Sequence, residues 1–413
     1  MFCIIHFGNP KNDKFLGSST LYSQKLKTNN IKILCLQVFY YNIYESTNNN
    51  NNNKNKNKTL LLNNIRTYST LSKGALSTTT TATTKKMSMD DSFELPTNLN
   101  HFLSYVPSLE YHMHKGQCGR IGVFGGSAEY TGAPFFAGIT SLRLGADIVH
   151  IFAPSEGGTA TAIKTLSPEL IVHPLDQQMD PSTIIPWLLS IHVLIIGPGL
   201  GRSSIAWKSA KEVIKAARNI NLPMVLDGDA LRLICEDLEL VKGYDKVILT
   251  PNFVEYRALS DAAKKLNNDN SNNILSPSDL AKALGNVVIV QKGQEDIITD
   301  GTISYSCDKA GMPRRCGGQG DVLAGVIGTF YAWTQNALKG KTSEELEHLK
   351  ESIGENQSAA ASAAYAGCVL VRYAAKLAFK NNRRSTITDD IIKSVPNALV
   401  WGFLTDDRGR PTI

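Results

Sequence analysis

Residues 193–201 read VLIIGPGLG, four large apolar residues in a row followed at once by a glycine-rich turn. An apolar run without polar alternation indicates a β-strand that is buried on both faces, as in a parallel sheet covered by helices. Five further short runs have this design and also end in turns rich in glycine, proline or polar residues: 120–124, 148–152, 224–226, 247–249 and 287–290.

Helical stretches lie between these runs, and an alanine-rich one follows them: 204–218, 255–266, 278–284 and 358–380. The alternation predicts an α/β fold in which a mostly parallel central sheet is flanked by helices on both faces. After residues 300–305 the pattern changes to turn-linked polar–apolar alternation, which predicts an antiparallel pair before the glycine turn. Ligands of such sheets bind beyond the carboxyl ends of the strands, so the polar residues there are the candidates for function.

The beginning of the chain differs in composition from the rest. Residues 1–89 hold twelve of the 43 lysine and arginine residues but two of the 37 acidic residues, so the remainder is slightly acidic and gives no sign of nucleic-acid binding. Asparagine and threonine tracts bury too little apolar surface to fold. We therefore expect a disordered low-complexity tail over residues 1–95 and one domain over residues 96–413. The apolar stretch 31–44 is too short to span a membrane.

Targeting signals are ambiguous. Residues 60–73 contain no acidic side chain, are rich in serine and threonine and carry Arg66, which suits an organellar presequence and equally a solvated linker. No basic start with an apolar core marks a secretory signal, and seven scattered cysteines without CxxC spacing argue against a disulfide framework or a zinc site. We expect a cytoplasmic protein, a mitochondrial matrix protein or both.

Residues 314–325 read RRCGGQGDVLAG, a glycine turn that leads Asp321 into an apolar helical run. Glycine can adopt a positive φ, and the N–H groups at a helix start bind phosphate. A carboxylate beside such a site can take the proton of a hydroxyl group that attacks phosphorus. Alternatively Asp321 only caps the helix. Arg314 and Arg315 could balance phosphate charge or form a surface pair.

Other strand ends carry further candidates. Residues 292–296 (KGQED) suit contact with a nucleotide, although an ordinary strand-end turn would look the same. Asn252 and Glu255 stand one helical turn apart and could organise water around a magnesium ion held mainly by nucleotide phosphates, or form a capping box, or both. Residues 125–134 (GGSAEYTGAP) place an aromatic and small side chains at a substrate mouth or form a plain connection.

Competing motifs fail. Residues 340–342 (GKT) lack the earlier glycine of a Walker A loop, the turn at 197–201 lacks GxGxxG spacing, and His112 and His114 have no partner cluster for a metal. The glycine turn, the Asn-x-x-Glu and the Lys-Gly-x-x-Asp segments all fall at strand ends. Together they indicate ATP-dependent phosphoryl transfer to a small hydroxyl compound.

Six segments in this order, GRIGVFGGSAEYTGAP, IIGPGLGR, LDGDAL, LTPNFVEYRAL, VQKGQED and GGQGDVLAG, closely resemble the ATP-dependent NAD(P)H-hydrate dehydratases, which are nicotinamide-repair enzymes with the ribokinase-like fold. The resemblance covers about residues 96–413. GGQGD occurs in looser form in many ribokinase-like kinases, whereas its combination with YTGAP and GPGLGR is more specific. The resemblance implies that ATP phosphorylates the ring hydroxyl of (S)-NADHX or (S)-NADPHX. Loss of phosphate then restores NADH or NADPH, with ATP and Mg²⁺ as cofactors.

The same resemblance implies roles for particular residues, with Asp321 as the base that activates the hydroxyl. The residues implied to bind ATP are Lys292, Gly293, Gln294, Glu295, Asp296, Gly311, Met312, Pro313, Arg314, Arg315, Cys316, Gly317, Gly318, Gln319 and Gly320. Those implied to bind the hydrated dinucleotide are Gly199, Gly201, Asn252, Phe253, Val254, Glu255, Tyr256, Arg257, Ala258 and Asp321. Some bacterial relatives carry a histidine where this chain has Asn252, so the role of that histidine does not transfer.

A ribokinase-like small-molecule kinase that releases a stable phosphorylated product needs the same base and glycine turn, so the sequence leaves this alternative open. A purely nucleotide-binding protein is disfavoured, because it needs no carboxylate at the phosphoryl site. Some relatives carry a fused epimerase domain, and residues 1–95 are too short and too biased to be one. The expected functional partner is therefore a separate NAD(P)HX epimerase. Nucleic-acid and membrane partners are not expected, and a homo-oligomer is left open.

Overall fold

The computed structural model of the protein describes residues 95–268, 271–339, 341 and 358–404. The expectations for the tail therefore fall, up to residue 94, outside the described residues. Nine described strands form one sheet in the order β3-β2-β1-β4-β5-β6-β7-β8-β9. Their bounds are β1 Arg120–Phe124, β2 Ile148–Pro154, β3 Ile171–Leu175, β4 Val193–Ile196, β5 Met224–Leu226, β6 Val247–Leu249, β7 Val288–Gln291, β8 Asp296–Thr299 and β9 Ser304–Cys307.

The first seven strands pair in parallel, and β8 and β9 extend the β7 edge as antiparallel neighbours. The predicted mostly parallel sheet is confirmed. An antiparallel pair precedes the glycine turn as predicted, but it begins earlier in the chain than expected, because β8 and β9 lie on either side of residues 300–303. The parallel pairing brings the carboxyl ends of β5, β6 and β7 together at one edge.

Ten α-helices of the described residues cover the sheet. Their bounds are α1 Gly132–Leu144, α2 Thr159–Leu166, α3 Ile185–Leu188, α4 Ser204–Asn219, α5 Asp229–Glu236, α6 Phe253–Leu266, α7 Pro277–Ala283, α8 Gln319–Leu338, α9 Ala359–Asn382 and α10 Thr388–Phe403. Short 3-10 helices span Thr97–Tyr105, Glu156–Gly158, Pro181–Thr183, Leu238–Leu240 and Arg383–Ser385. None of the helices in the described ranges is long and apolar enough to cross a membrane.

Two hydrophobic cores explain the unbroken apolar runs. In β4, Val193 and Ile195 face a core shared with α1, α8, α9 and α10, whereas Leu194 and Ile196 face a second core shared with α4 to α7. Successive side chains of a strand point to opposite faces, so a strand between two apolar layers needs apolar residues at every position.

Helix α8 is buried on nearly all sides and lies directly against its neighbours. A Cβ added to Gly325 would lie 2.4 Å from the carbonyl oxygen of Ala137 in α1, and one added to Gly328 would lie 2.8 Å from Cδ1 of Ile195 in β4. The hydroxyl of Ser141 in α1 also donates to the Gly325 carbonyl oxygen at 3.1 Å. The helix backbone is therefore seated on both α1 and the sheet.

The sequence analysis predicted no strand at β3. This strand lies at the edge of the sheet, and Ile171 and Pro174 are exposed. An edge strand needs neither full burial nor every N–H, so polar residues and proline are tolerated there. A search for unbroken apolar runs therefore passes over it.

Candidate active site

Three neighbouring strands deliver an ion pair to the carboxyl edge of the sheet. Asp227 follows β5, Thr250 follows β6 and Lys292 follows β7. The Lys292 ammonium donates to Oδ1 of Asp227 at 2.7 Å, and the Thr250 hydroxyl donates to the same oxygen at 2.7 Å. Lys292 is further held by its backbone N–H, which donates to the Pro251 carbonyl oxygen at 2.9 Å. The Asp227 side chain is only 5% exposed, so these donors are needed to offset the cost of burying its charge.

Asp321 lies in the first turn of α8, close to this ion pair. The N-cap of the helix is Gly318, so Asp321 is not the capping residue that one interpretation of the sequence made it. Within the described residues no donor hydrogen-bonds to its carboxylate, which leaves it available to accept a proton. Burial and the nearby charge of Asp227 raise the pKa of Asp321 to about 7, although Lys292 opposes the rise. A base with a pKa near 7 suits proton transfer at neutral pH.

The glycine turn that leads into the first residues of α8 lies next to the Lys292–Asp227 ion pair. A Cβ added to Gly320 would lie 3.4 Å from Oδ2 of Asp227 and 3.6 Å from Nζ of Lys292. Gly318 has a φ of +95°, and a Cβ there would lie 2.8 Å from the ring of Phe136. The Thr388 hydroxyl donates to the Gly317 carbonyl oxygen and ties the turn to α10. Backbone N–H groups at the helix start have no intrahelical partner, so the turn offers donors to an anion beside a lysine.

A cavity of about 910 Å³ opens beside the turn, a volume in the range of small-molecule sites. Apolar side chains of α8, α9 and α10 form part of its wall: Leu323, Val371, Ala375 and Ile391. Most residues that the sequence assigned to ATP line it: Lys292, Gly293, Gln294, Asp296, Gly311, Met312, Pro313, Arg315, Cys316, Gln319 and Gly320.

Four of the residues assigned to ATP do not line this cavity. Glu295 is exposed and accepts a hydrogen bond from the Ser306 hydroxyl. The Arg314 guanidinium donates from Nε to the Thr386 carbonyl oxygen at 2.5 Å, and so faces the segment that precedes α10. Gly317 and Gly318 belong to the turn at the cavity rim.

The turn from Gly293 to Asp296 is closed by side-chain contacts. The Gly293 N–H donates to Oδ1 of Asp296 at 2.9 Å, and Nε of Arg372 in α9 donates to Oδ2 of Asp296 at 2.7 Å. The pattern Lys-Gly-x-x-Asp therefore has a structural reason: its aspartate joins the turn to a distant helix.

The predicted capping box at the start of α6 is present. Oδ1 of Asn252 accepts from the N–H groups of Val254 and Glu255 at 3.0 and 3.1 Å, and Glu255 accepts from the Asn252 N–H at 2.8 Å. Burial raises the pKa of Glu255, and Lys292 opposes this. The carboxylate of Glu255 thus faces the ion pair, so its capping role is compatible with a role in the site.

The other residues of the segment 252–258 divide by helix face. Phe253 and Val254 are 63% and 64% exposed, and Arg257 and Ala258 are exposed as well. The side chain of Tyr256 is buried in the second core, where its hydroxyl donates to the Leu275 carbonyl oxygen at 2.7 Å. The assignment of the Tyr256 side chain to substrate is therefore corrected: it packs in the core, because it lies on the inner face of α6.

The GPGLG turn contacts the loop 125–134. The Gly126 N–H donates to the Pro198 carbonyl oxygen at 2.9 Å, and a Cβ on Gly199 would lie 2.6 Å from the carbonyl oxygen of Tyr130. Gly201 donates to Oδ2 of Asp229 at 3.0 Å. The hydroxyl of Ser127, in the loop 125–134, is buried and has no hydrogen-bond partner among the residues that the structure describes. The two loops form one polar surface at the ends of β1 and β4.

Sequence reasoning gave no role to Asp227, Thr250 or Arg372. Asp227 stands in LDGDAL at a strand end, and this position was the available signal. Arg372 stands in an alanine-rich helix 76 residues from Asp296, and no local pattern connects the two.

The mostly parallel sheet with two antiparallel edge strands, and a carboxylate at a glycine-rich helix start, define an α/β protein of the phosphoryl-transfer type. The fold is similar to that of a ribokinase-like superfamily protein of Enterococcus faecalis, with a TM-score of 0.55 and 19% identity over 72% of this chain and 93% of that one. A hypothetical protein of Streptococcus mutans gives a TM-score of 0.56 and 20% identity over 74% of this chain and 98% of that one. The fold is thus ribokinase-like, as the resemblance in sequence implied.

The sequence model of the NAD(P)H-hydrate dehydratase family matches residues 121–397. An ATP-dependent (S)-NAD(P)H-hydrate dehydratase of Dictyostelium discoideum is 60% identical over 298 residues, which cover 72% of this chain and 94% of that one. A rat protein of the same name is 42% identical over 332 residues, which cover 80% of this chain and 90% of that one. The chain belongs to the NAD(P)H-hydrate dehydratase family.

Proposed function

We propose that this protein is an ATP-dependent hydro-lyase that returns (S)-NADHX and (S)-NADPHX to NADH and NADPH, with ADP and phosphate as the other products. The observation that carries the proposal is the position of Asp321 in the first turn of α8 beside the Lys292–Asp227 ion pair, half-buried and without a hydrogen-bond donor among the described residues. Its support in sequence is the close match to relatives named for this activity.

The first step is phosphoryl transfer. Asp321 takes the proton of the ring hydroxyl as the hydroxyl oxygen attacks the γ-phosphorus, and the bond from that phosphorus to the bridging oxygen of ADP breaks. Lys292 and the backbone N–H groups of the glycine turn are the donors available to the transferring phosphoryl group. Their positions are set before substrate arrives, because Asp227 and Thr250 hold the lysine and Thr388 holds the turn.

The second step is elimination. The ring nitrogen donates its lone pair as the C–O bond breaks and phosphate leaves, and loss of a proton from the adjacent ring carbon restores the dihydronicotinamide. Phosphate is a far better leaving group than hydroxide, so phosphorylation by ATP makes the elimination easier.

A magnesium ion is proposed to accompany ATP. Within the described residues no three His, Cys, Asp or Glu side chains converge on one point, so its ligands would come mainly from nucleotide phosphates and water. Glu255 is the residue that would hold it through water, since both acceptor positions of the Asn252 oxygen are already engaged by backbone N–H groups. The ion would neutralise charge on the transferring phosphate.

The remaining proposals concern the partner enzyme, the oligomeric state and the location of the protein in the cell. We expect a separate NAD(P)HX epimerase to supply the S epimer, and we leave a homo-oligomer open. Localisation in the mitochondrial matrix, the cytoplasm or both rests on the presequence-like composition of residues 60–73. A fluorescent reporter fused to residues 1–90 tests it: mitochondrial signal supports import, whereas diffuse signal alone would remove the mitochondrial part.

The product of the reaction tests the function. Purified protein with ATP and hydrated NADH should regain the absorbance of dihydronicotinamide and release one phosphate per NADH formed, and hydrated NADPH should behave alike. ADP with a stable phosphorylated compound and no recovered absorbance would instead establish the small-molecule kinase. Two controls accompany the assay: omission of ATP should give no product above background, and the Asp321→Asn variant should form product far more slowly than the unaltered protein.

A further inference from the structure

Arg372 binds three separate points on the walls of the 910 Å³ cavity. Nε donates to Oδ2 of Asp296 at 2.7 Å, Nη2 donates to the Gly293 carbonyl oxygen at 3.1 Å, and Nη1 donates to the Lys309 carbonyl oxygen at 3.0 Å. Each guanidinium nitrogen thus has its own acceptor. The arginine and its aspartate partner are 17% and 10% exposed, so this is a partly buried contact that water does not easily replace.

The three acceptors belong to two neighbouring segments of the cavity wall. Gly293 and Asp296 form the turn between β7 and β8, and Lys309 lies two residues after Cys307, the partner of Asp296 in the β8–β9 ladder, in the loop that runs to the glycine turn. Arg372 itself comes from the middle of α9, which packs against α8 and α10. One side chain on a packed helix therefore joins both segments to α9.

The backbone of the loop after β9 also packs against the Arg372 residue. A Cβ added to Gly311 would lie 3.6 Å from both Cα and Cγ of Arg372, so the loop lies directly on the arginine. Asp296 is engaged on both oxygens, by Gly293 N–H and by Arg372. Without the guanidinium, that carboxylate would remain buried with one neutral donor, and repulsion of phosphate by an unpaired negative charge would follow.

We propose that Arg372 is a positioning residue for the nucleotide, which holds the β7–β8 turn and the loop after β9 against α9 in the arrangement that ATP requires. The inference rests on the proposed use of ATP by this site. It assigns no contact with the hydrated cofactor, whose expected residues lie in the GPGLG turn and at the start of α6.

Binding and kinetics of three variants of the full chain test this. Arg372→Ala should weaken ATP binding, measured by calorimetry, at least tenfold and raise the KM for ATP equally, while kcat and the KM for hydrated NADH change less than about threefold. Arg372→Lys should weaken binding less, because an ammonium keeps part of the charge but cannot reach three acceptors. Arg372→Ala combined with Asp296→Asn should bind ATP better than Arg372→Ala alone, since the unpaired carboxylate is gone.

Arg218 provides a matched control. Its Nη1 and Nη2 donate to the carbonyl oxygens of Glu239 and Lys242 at 2.7 and 2.8 Å, away from the cavity. Arg218→Ala should lower the melting temperature and leave the KM for ATP within twofold. The positioning role is wrong if Arg372→Ala behaves in the same way. It is also wrong if Arg372→Ala weakens the binding of ATP and of hydrated NADH equally. If Arg372→Ala does not fold, Arg372→Lys decides by the same comparison: ATP affinity equal to that of the unaltered protein would overturn the inference.

The outcome for Arg372 is separable from the proposed function. Calorimetry with ATP needs no turnover, so a protein that binds ATP but leaves hydrated NADH unchanged would end the dehydratase proposal only. Normal ATP binding by Arg372→Ala would end the inference only.

Discussion

The ammonium of Lys292 lies 2.7 Å from Oδ1 of Asp227, although the two residues are 65 positions apart in the chain. Both stand near Asp321, where they act in opposite directions: Asp227 raises the pKa of that carboxyl group and Lys292 lowers it. Burial of Lys292 tends to lower the pKa of its own amine, but Asp227 and Glu255 raise it above its ordinary value, so the lysine stays charged. The ion pair thus provides a charged hydrogen-bond donor for phosphate and also influences the pKa of Asp321.

Replacement of the base should abolish chemistry and spare binding. Asp321→Asn keeps the shape of the side chain and removes its ability to take a proton, so we expect kcat to fall by about 10²- to 10⁴-fold while ATP affinity is retained. Single-turnover kinetics and calorimetry measure the two quantities. Near-normal turnover in this variant would remove Asp321 from the mechanism.

The same variant should be more stable than the unaltered protein. The pKa of Asp321 is about 7 in the folded protein, above its unfolded value of 3.8, so the carboxyl group contributes stability at low pH that is lost as pH rises towards 7. The neutral amide avoids that loss. We expect the free energy of unfolding at pH 8 to rise by on the order of 1–3 kcal/mol after allowance for solvent screening, and at pH 3 to change little. Urea denaturation at the two pH values provides the comparison.

The pH below which activity falls should depend on the negative charge of Asp227. Asp321 must lose its proton to act as a base, so kcat/KM should fall as pH drops through about 7. In Asp227→Asn the repelling carboxylate is absent, the pKa of Asp321 falls, and this acid limb should move down by about one pH unit. Asp229→Asn is the control: Asp229 binds the Gly201 N–H and Arg202, so its loss should leave the limb in place. An unmoved limb in Asp227→Asn would exclude the coupling.

Two adjacent glycines of the turn should respond differently to alanine. Gly318 has a φ of +95°, and its new Cβ would lie 2.8 Å from Phe136, so we expect Gly318→Ala to cost about 1–3 kcal/mol and to lower the melting temperature by several degrees. Gly317 has nothing within 4 Å of an added Cβ and no positive φ, so Gly317→Ala should melt within about 1 °C of the original. Equal melting temperatures for the two variants would contradict the described turn.

Two aromatic residues of α6 should separate binding from folding. Phe253→Ala removes a ring that is 63% exposed, and we expect the KM for hydrated NADH to rise about three- to tenfold with little change in stability. Tyr256→Phe removes the hydroxyl that donates to Leu275, so it should cost about 1 kcal/mol of stability and leave that KM unchanged. A raised KM in Tyr256→Phe would return this side chain to the substrate site.

The sequence predicted the sheet because its central strands lie between two apolar cores. Every residue of β4 is buried, and such a run has few alternative structures. The edge strand β3 has no comparable signature, since its exposed positions follow local solvent access and not the requirements of a core. Tyr256 could have been assigned to the core from periodicity alone, because Leu259 and Ala263 follow it at helical spacing and all three are buried.

The glycine turn and its aspartate could be found because both lie within one short segment. Asp227 acquires its meaning only when the sheet brings β5 beside β6 and β7, and Arg372 only when α9 packs against the turn before β8. Hydrogen bonds between residues so distant in sequence are products of tertiary structure, and no local spacing encodes them.

The close contacts of Gly325 and Gly328 decide which parts of the site can move. Since the backbone of α8 at Gly325 and Gly328 rests directly against the Ala137 carbonyl oxygen and the Ile195 side chain, any sliding or rotation of this helix would create a clash or a void. Asp321 is carried on that helix and is therefore stationary. Any closure around ATP and the hydrated cofactor would therefore have to come from the loops that surround the base.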